Sequence, residues 1–197
     1  MLRYIDYKWG NIVMFNTLSY IGEKFNEANV LWAVGASIML SQHNIIQKPN
    51  DIDILVDTKD IHKVDEILKT IGEKKVRDKV ATYSTEYFYE YIVSGIDVDI
   101  MAGFKINHIE GTFEYVFDDK SISQIKNING VSIPLTSLED WYVIYKLIPG
   151  RESKVKIIED YMNNNGISNV NLLKRSLKGN LPKEIKEKVE ELLSNLA

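Results

Sequence analysis

Two short segments of the chain, Asp51-Ile52-Asp53-Ile54 and Asp97-Val98-Asp99-Ile100, carry the pattern that most limits its fold. Strict alternation of acid and branched aliphatic predicts two β-strands, each with both carboxylates on one face and its aliphatic side chains on the other. Carboxylates at i and i+2 stand ~6–7 Å apart along a strand, and a neighbouring strand lies ~5 Å away. Pairing of the two strands would bring up to four acids onto one small patch. Neither segment holds a Lys or Arg to neutralise them. Like charges at that range raise one another's pKa or hold cations. Hard oxygen donors without His or Cys favour Mg2+, and two such ions ~3.5–4 Å apart suit a phosphoryl or nucleotidyl transfer. One such segment alone is more simply a solvated edge strand. Two of them, with the segment upstream, point to a site.

A chain of 197 residues, 45% hydrophobic and 26% charged, fits one domain with a real core, or one domain with a helical extension. The absence of cysteine excludes a disulfide scaffold, a thiolate zinc site and a cysteine nucleophile. With 24 basic and 28 acidic side chains the net charge is −4, which speaks against a broad basic nucleic-acid surface but leaves room for a local basic groove. The longest apolar stretch, near Val30–Leu40, is about half the ~20 residues a membrane span needs. Asp6 and Lys8 fall where a signal peptide requires an unbroken apolar region. The expectation is a soluble, cytoplasmic protein with no membrane partner.

Along the chain, the spacing of Leu18, Ile21 and Phe25 predicts an amphipathic helix over 16–28, followed by a buried strand over 30–34 and a second helix over 36–43. Residues 51–56 read as a strand with Ile52, Ile54 and Val56 on one face, and 60–71 as a helix closed by Gly72. Strand composition marks 73–80 and 85–93, and Gly95 turns the chain into a strand over 96–101. Asn129-Gly130 is the strongest hairpin signal and leads into a strand over 131–135. From Thr136 onward the pattern is helical. Ser137-Leu138-Glu139-Asp140 resembles a capping sequence opening a helix through Leu147. A helix over 151–162, a loop at Asn163–Gly166 and short helices near 169–177 and 182–196 follow. In the last, Ile185, Val189, Leu192 and Leu196 form a stripe, and Glu184 and Lys188 are spaced for an ion pair. The expected organisation is an α/β unit over 1–135 and a helical region over 136–197 packed on it.

Val34-Gly35-Ala36-Ser37 joins the end of an apolar strand to the start of a helix. Glycine there allows a phosphate close to the backbone, the helix start offers free N–H groups, and Ser37 adds a hydroxyl donor. The order matters more than the motif: strand, Gly-x-Ser, short helix, loop, then Asp-x-Asp. In that order the segments AVGASIML, NDIDILVD and GIDVDIMAGF resemble the three motif parts of the nucleotidyltransferase superfamily, the DNA polymerase β-like fold. The passage from Gly130 to Asp140, with Tyr145-Lys146-Leu147, resembles the strand-to-helix passage of its small bacterial and archaeal members. The likeness is nearest to an uncharacterised group of minimal nucleotidyltransferase-like proteins and covers roughly residues 20–162.

That resemblance implies an α/β (α+β) nucleotidyltransferase fold, a mixed sheet flanked by helices with a helical C-terminal part. It implies Asp51 and Asp53 as metal-binding carboxylates and Asp99 as the third, drawing the proton of an attacking hydroxyl, with Asp97 a rival on the same face. Gly35 and Ser37 would hold a triphosphate, and Lys146 resembles a basic residue that some members place near the phosphates. The implied cofactor is Mg2+, two ions, and the implied substrate a nucleoside triphosphate such as ATP. The acceptor is a small hydroxyl compound, an RNA or a protein. Pyrophosphate would leave. The sequence departs from the family at the turn, where Gly-Ala-Ser stands for Gly-Gly or Gly-Ser, and in the loop over 41–50, which offers Lys48 where many members carry arginine. The alternative is a fold member without catalysis that serves as a binding or regulatory partner, for example in a toxin–antitoxin pair. The intact acids favour the enzyme.

Other features read more plainly. His43, His62 and His108 have no metal-ligand spacing. The run Lys74-Lys75-Val76-Arg77-Asp78-Lys79 reads as a solvated strand face before a phosphate or RNA groove. Tyr83, Tyr87, Phe88, Tyr89 and Tyr91 read as core packing before base stacking. Arg151 and Lys154 face either the cleft or solvent, and Trp32 and Trp141 read as core.

Overall fold

The computed structural model describes residues 2–76, 78 and 80–194, with side chains from residue 10 onward. Arg77 and Lys79 of the basic run and Leu196 of the C-terminal stripe lie outside the described residues. In chain order the elements are helix α1 (Leu2–Glu27), strand β1 (Trp32–Val34), α2 (Ala36–Gln42), β2 (Ile52–Val56), α3 (Ile61–Lys69), β3 (Glu73–Lys74), β4 (Tyr87–Val93) and β5 (Ile96–Ala102). A hairpin of β6 (Lys105–His108) and β7 (Gly111–Glu114) follows, then β8 (Ile122–Ile128), β9 (Val131–Thr136), α4 (Leu138–Leu147), α5 (Glu152–Asn165), α6 (Val170–Ser176) and α7 (Lys183–Ser194).

Seven strands form one sheet in the order β3-β4-β5-β2-β1-β9-β8. It is mixed: β2 runs parallel to β5 and β1 parallel to β9, while the other neighbours are antiparallel. The expected α/β architecture with a mixed sheet and a helical C-terminal part is the one observed. Alternation does the sorting in β2 and β5. Ile52, Ile54, Val98 and Ile100 are fully buried, whereas Asp53 and Asp99 between them stay partly open. α1 packs on β9 and β5 and α3 on β4, while α2 packs on β2 and on α4. Phe25 of α1 meets Trp32 edge-on at 5.4 Å, both buried, as the apolar pattern requires. Each large apolar side chain buried in this way contributes about 1.5–3 kcal/mol.

Asn129 and Gly130 both take positive φ, 53° and 86°, and join β8 to β9. This is the turn conformation whose twist matches a two-residue hairpin. Ser137 caps α4, its Oγ accepting the Asp140 N–H at 3.0 Å. Every residue of α4 is buried except the partly exposed Lys146, so this helix is the pillar between the sheet and the C-terminal helices.

Several expectations need correction. α1 begins at Leu2 rather than near residue 16. The strand expected over 73–80 is confined to Glu73–Lys74 among the described residues. α5 continues through Asn165, with Asn164 and Asn165 donating side-chain hydrogen bonds to the carbonyls four residues earlier. Lys188 pairs with Glu191 at 2.9 Å rather than with Glu184.

Candidate active site

Parallel pairing of β2 with β5 sets Asp53 directly opposite Asp99. Antiparallel pairing of β5 with β4 sets Glu90 opposite Asp99 on the other side. Three carboxylates therefore stand in one row across three adjacent strands, on one face of the sheet. Asp51, just before β2, joins them, and all four line a cleft of about 280 Å³. The sequence expectation that acids from separate segments converge is met for Asp51, Asp53 and Asp99.

Asp97 is not part of this cleft. It is exposed and takes an ion pair with Lys75, whose Nζ lies 2.5 Å from Oδ1. Of the two candidates for the third acid, Asp99 is the one the fold turns towards the others.

The Gly-Ala-Ser turn divides its tasks. Ser37, buried, accepts the Asn50 N–H at 3.2 Å and donates towards Asp51 Oδ1 at 3.3 Å, fixing the carboxylate nearest the turn. Ala36 and Ser37 line the cleft, and Gly35 lies behind them. A methyl built on Gly35 would sit 2.3 Å from the Trp141 indole, so glycine here is demanded by packing. The indole is held in turn by its own N–H, which donates to Thr136 Oγ1 at 2.7 Å. Trp141 is core, as expected, and also forms part of the cleft wall. Ala36 holds φ +46°, a left-handed conformation that costs an L-residue about 1–2 kcal/mol and that tends to be kept at ligand sites.

Basic side chains come from α5 and its start. Arg151, at the N-cap, and Lys154 line the cleft. Among the described residues neither forms a hydrogen bond or ion pair with Asp51 or Asp53, although both act on these acids electrostatically. Lys146 is placed elsewhere. Its Nζ lies 3.3 Å from Glu159 and 5.0 Å from the Tyr142 ring centroid, on a separate groove of about 700 Å³ between α4, α5 and α7. The structure brings Arg151 and Lys154 to the acids and leaves Lys146 outside.

Burial, with the Asp51 and Asp99 charges behind it, pushes the Asp53 carboxyl well above the usual carboxylate range. Burial, and then the neighbouring Arg151, lowers the Lys154 ammonium. Both shifts are set first by burial, and the opposite charges across the cleft offset them only in part. Among the described residues no three His, Cys, Asp or Glu side chains are gathered into a metal cage. Mg2+ does not need one, because it takes one or two carboxylates and completes its shell with water and phosphate oxygen. The donor set here, hard carboxylate oxygens with no His lining the cleft, fits that ion.

Glu90 was not anticipated. It sits in an aromatic run, and only the β4–β5 register reveals it as Asp99's neighbour. The aromatic run itself splits by alternation. Phe88 faces the cleft with Tyr83 from the preceding loop, while Tyr91 turns to the other face and donates to Asp65. Of the basic run, Lys74 pairs with Asp65 and Lys75 with Asp97.

Comparison with known proteins bears on the fold and the family. The sequence profile of the aminoglycoside-2''-adenylyltransferase family matches residues 17–163. No curated protein matches the chain. Among solved structures, a Thermotoga maritima protein described as a nucleotidyltransferase is 26% identical, with a TM-score of 0.58 over 76% of this chain and 92% of its own. The adenylyltransferase ANT(2'')-Ia, solved with adenylyl-2''-tobramycin, is 12% identical with a TM-score of 0.54, covering 94% of this chain and 96% of its own. The lincosamide antibiotic adenylyltransferase LnuA, with lincomycin bound, is 19% identical with a TM-score of 0.51, covering 73% and 95%. The last two speak for the fold alone. No described helix is long and apolar enough to cross a membrane. The chain has the nucleotidyltransferase fold and belongs to the aminoglycoside-2''-adenylyltransferase family.

Proposed function

We propose that the protein is an Mg2+-dependent nucleotidyltransferase that moves a nucleoside monophosphate, with ATP the expected donor, onto an acceptor hydroxyl and releases pyrophosphate. One observation carries this reading. Asp51 and Asp53 and the cations Arg151 and Lys154 share a cleft without closing on one another. Unlike charges kept apart in a small cleft suit a ligand that is itself a cation bound to a polyanion. The family match supports adenylyl transfer in particular.

In this reading Asp51 and Asp53 hold the metal, with Asp99 beside them. When bound, Mg2+ offsets the negative charge that builds on the phosphates during transfer. Arg151 and Lys154 bind the triphosphate and stabilise the departing pyrophosphate. Ser37 keeps Asp51 in place through its hydrogen bond. Asp99 accepts the proton of the acceptor hydroxyl as that oxygen attacks the α-phosphorus in line. The residues position and neutralise, and no covalent intermediate is required. Four carboxylates lining the cleft disfavour a polyanionic acceptor such as RNA and favour a small hydroxylated compound.

The test is a thermal-shift screen of the four nucleoside triphosphates with and without Mg2+, since a ligand that binds the folded state raises apparent stability. A triphosphate should stabilise the wild type only with Mg2+ and leave Asp53→Asn unmoved. Absence of any shift with every triphosphate would remove the enzymatic reading. If a shift is found, labelled donor and a panel of aminoglycosides and lincosamides identify the acceptor.

A further inference from the structure

Asp51 and Asp97 open the two acid patterns and occupy corresponding positions, one residue ahead of the first β2–β5 pair, Ile52 with Val98. Their fates differ. Asp51 lines the cleft and receives the Ser37 hydroxyl at 3.3 Å, whereas Asp97 is exposed outside it and takes Lys75. The mechanism above uses neither Asp97 nor Lys75.

Lys75 follows β3 directly, and its N–H donates to the Glu90 carbonyl at 2.8 Å. The β3–β4 register, Glu73 with Ile92 and Lys74 with Tyr91, continues at this point and sets Lys75 opposite Glu90. Side chains directly opposite on neighbouring strands share a face. The row that starts at Asp53 therefore runs through Asp99 and Glu90 and ends on Lys75. Glu90 is the row neighbour of this lysine, yet its Nζ passes β4 and lies 2.5 Å from Asp97 Oδ1 on β5. Asp97 is one same-face step, ~6–7 Å, from Asp99 along that strand. The ammonium is thus held beside the acid row and not on it. The Asp97 hydrogen bond raises the Lys75 ammonium most, and the Glu90 and Asp99 charges add to that less.

Resting on the reading of the cleft as a metal-dependent transfer site, we propose that Asp97 is a positioning residue: by holding the Lys75 ammonium it keeps that charge from competing with a divalent cation for the acid row. Without Asp97 the ammonium turns to Glu90 and Asp99, the acids that already attract it. A positive charge placed there repels a divalent ion twice as strongly as a monovalent one. Without Lys75, the bare Asp97 carboxylate adds a weak attraction instead. The two members of one ion pair therefore have opposite effects on the metal.

Calorimetry measures Mn2+ binding to the full chain at one pH near neutrality and at low ionic strength, where exposed charges are screened least. Asp97→Asn should weaken Mn2+ binding about fivefold, and Lys75→Met should tighten it about twofold. The double variant should return to within about twofold of the wild type, and Asp97→Glu should keep the wild-type affinity. All four should melt with the wild type, because an exposed ion pair contributes little stability. A pair that serves the fold alone would give losses of the same sign in both single variants. Unchanged affinity in Asp97→Asn, weakening in both single variants, or a double variant as weak as Asp97→Asn overturns the proposal and leaves the metal site standing. Absence of Mn2+ binding in the wild type overturns both.

Discussion

Asp53 faces Asp99 across the β2–β5 pair, and side chains so placed stand ~5 Å apart. Two full charges at that distance repel by about 3 kcal/mol at an effective dielectric of ~20. Water in the open cleft reduces the figure, so Asp53 should carry about 1–3 kcal/mol of repulsion when ionised. Burial and the two neighbouring acids raise its pKa well above the ordinary range. A carboxyl raised in the folded state contributes stability that is fully present below its unfolded pKa of ~3.9 and is lost as pH rises through the folded value. Asp53→Asn has no such loss. Urea denaturation at about pH 4 and about pH 8 without Mg2+ should show the variant gaining about 1–3 kcal/mol on the wild type as pH rises. With Mg2+ the order should shift back. At ~10 times the dissociation constant the ion stabilises the wild type by about 1.4 kcal/mol and leaves the variant unchanged. If the variant is equally destabilised at both pH values, the repulsion argument is wrong.

Other perturbations test separate parts of the structure. Gly35→Ala drives a methyl into the Trp141 indole and should cost about 1–3 kcal/mol in denaturant unfolding, with a shift in tryptophan emission. Burial raises Asp140 to about 6 despite the Tyr115 hydroxyl, which donates to its carboxylate at 2.8 Å, and the nearby Arg175 guanidinium. Its stabilising contribution, at most about 3 kcal/mol, should therefore disappear as pH rises from ~4 to ~6, and Asp140→Asn should flatten that part of the pH–stability curve. Arg151→Ala and Lys154→Ala should each weaken triphosphate binding about tenfold, about 1.4 kcal/mol, measured by calorimetry with Mg2+. Lys146→Ala, whose lysine pairs with Glu159 instead, should change binding less than about twofold.

The acid pattern was legible because strand alternation fixes which face a carboxylate occupies, whatever the strand's partner. The Asn129-Gly130 turn and the Ser137 cap were legible for a similar reason, since each is a local backbone requirement met by a particular residue. Register was not local. Glu90 lies in the cleft, and Asp97 in a surface ion pair, only through pairings that no segment encodes alone. β8 shows no strand alternation in its sequence, because Ile122, Ile125 and Ile128 recur every third residue. A register shift between Ile122 and Gln124, and an edge position that leaves Ile125 65% exposed, explain that pattern. The short β6–β7 hairpin was missed as well. Which of Lys146, Arg151 and Lys154 borders the acids depends on how α4 is rotated against the sheet and where α5 begins, and both are set by tertiary packing. Gly35 was noticed for its effect on backbone approach, but the partner requiring it, Trp141, lies over a hundred residues away.

Crystals grown with Mn2+ in place of Mg2+ and a non-transferable ATP analogue test the central claim most directly. Anomalous density should lie against the Asp51, Asp53 and Asp99 carboxylates, with the analogue's phosphates reaching Arg151 and Lys154. Manganese bound away from those carboxylates, or the triphosphate seated beside Lys146 in the groove between α4, α5 and α7, would contradict it.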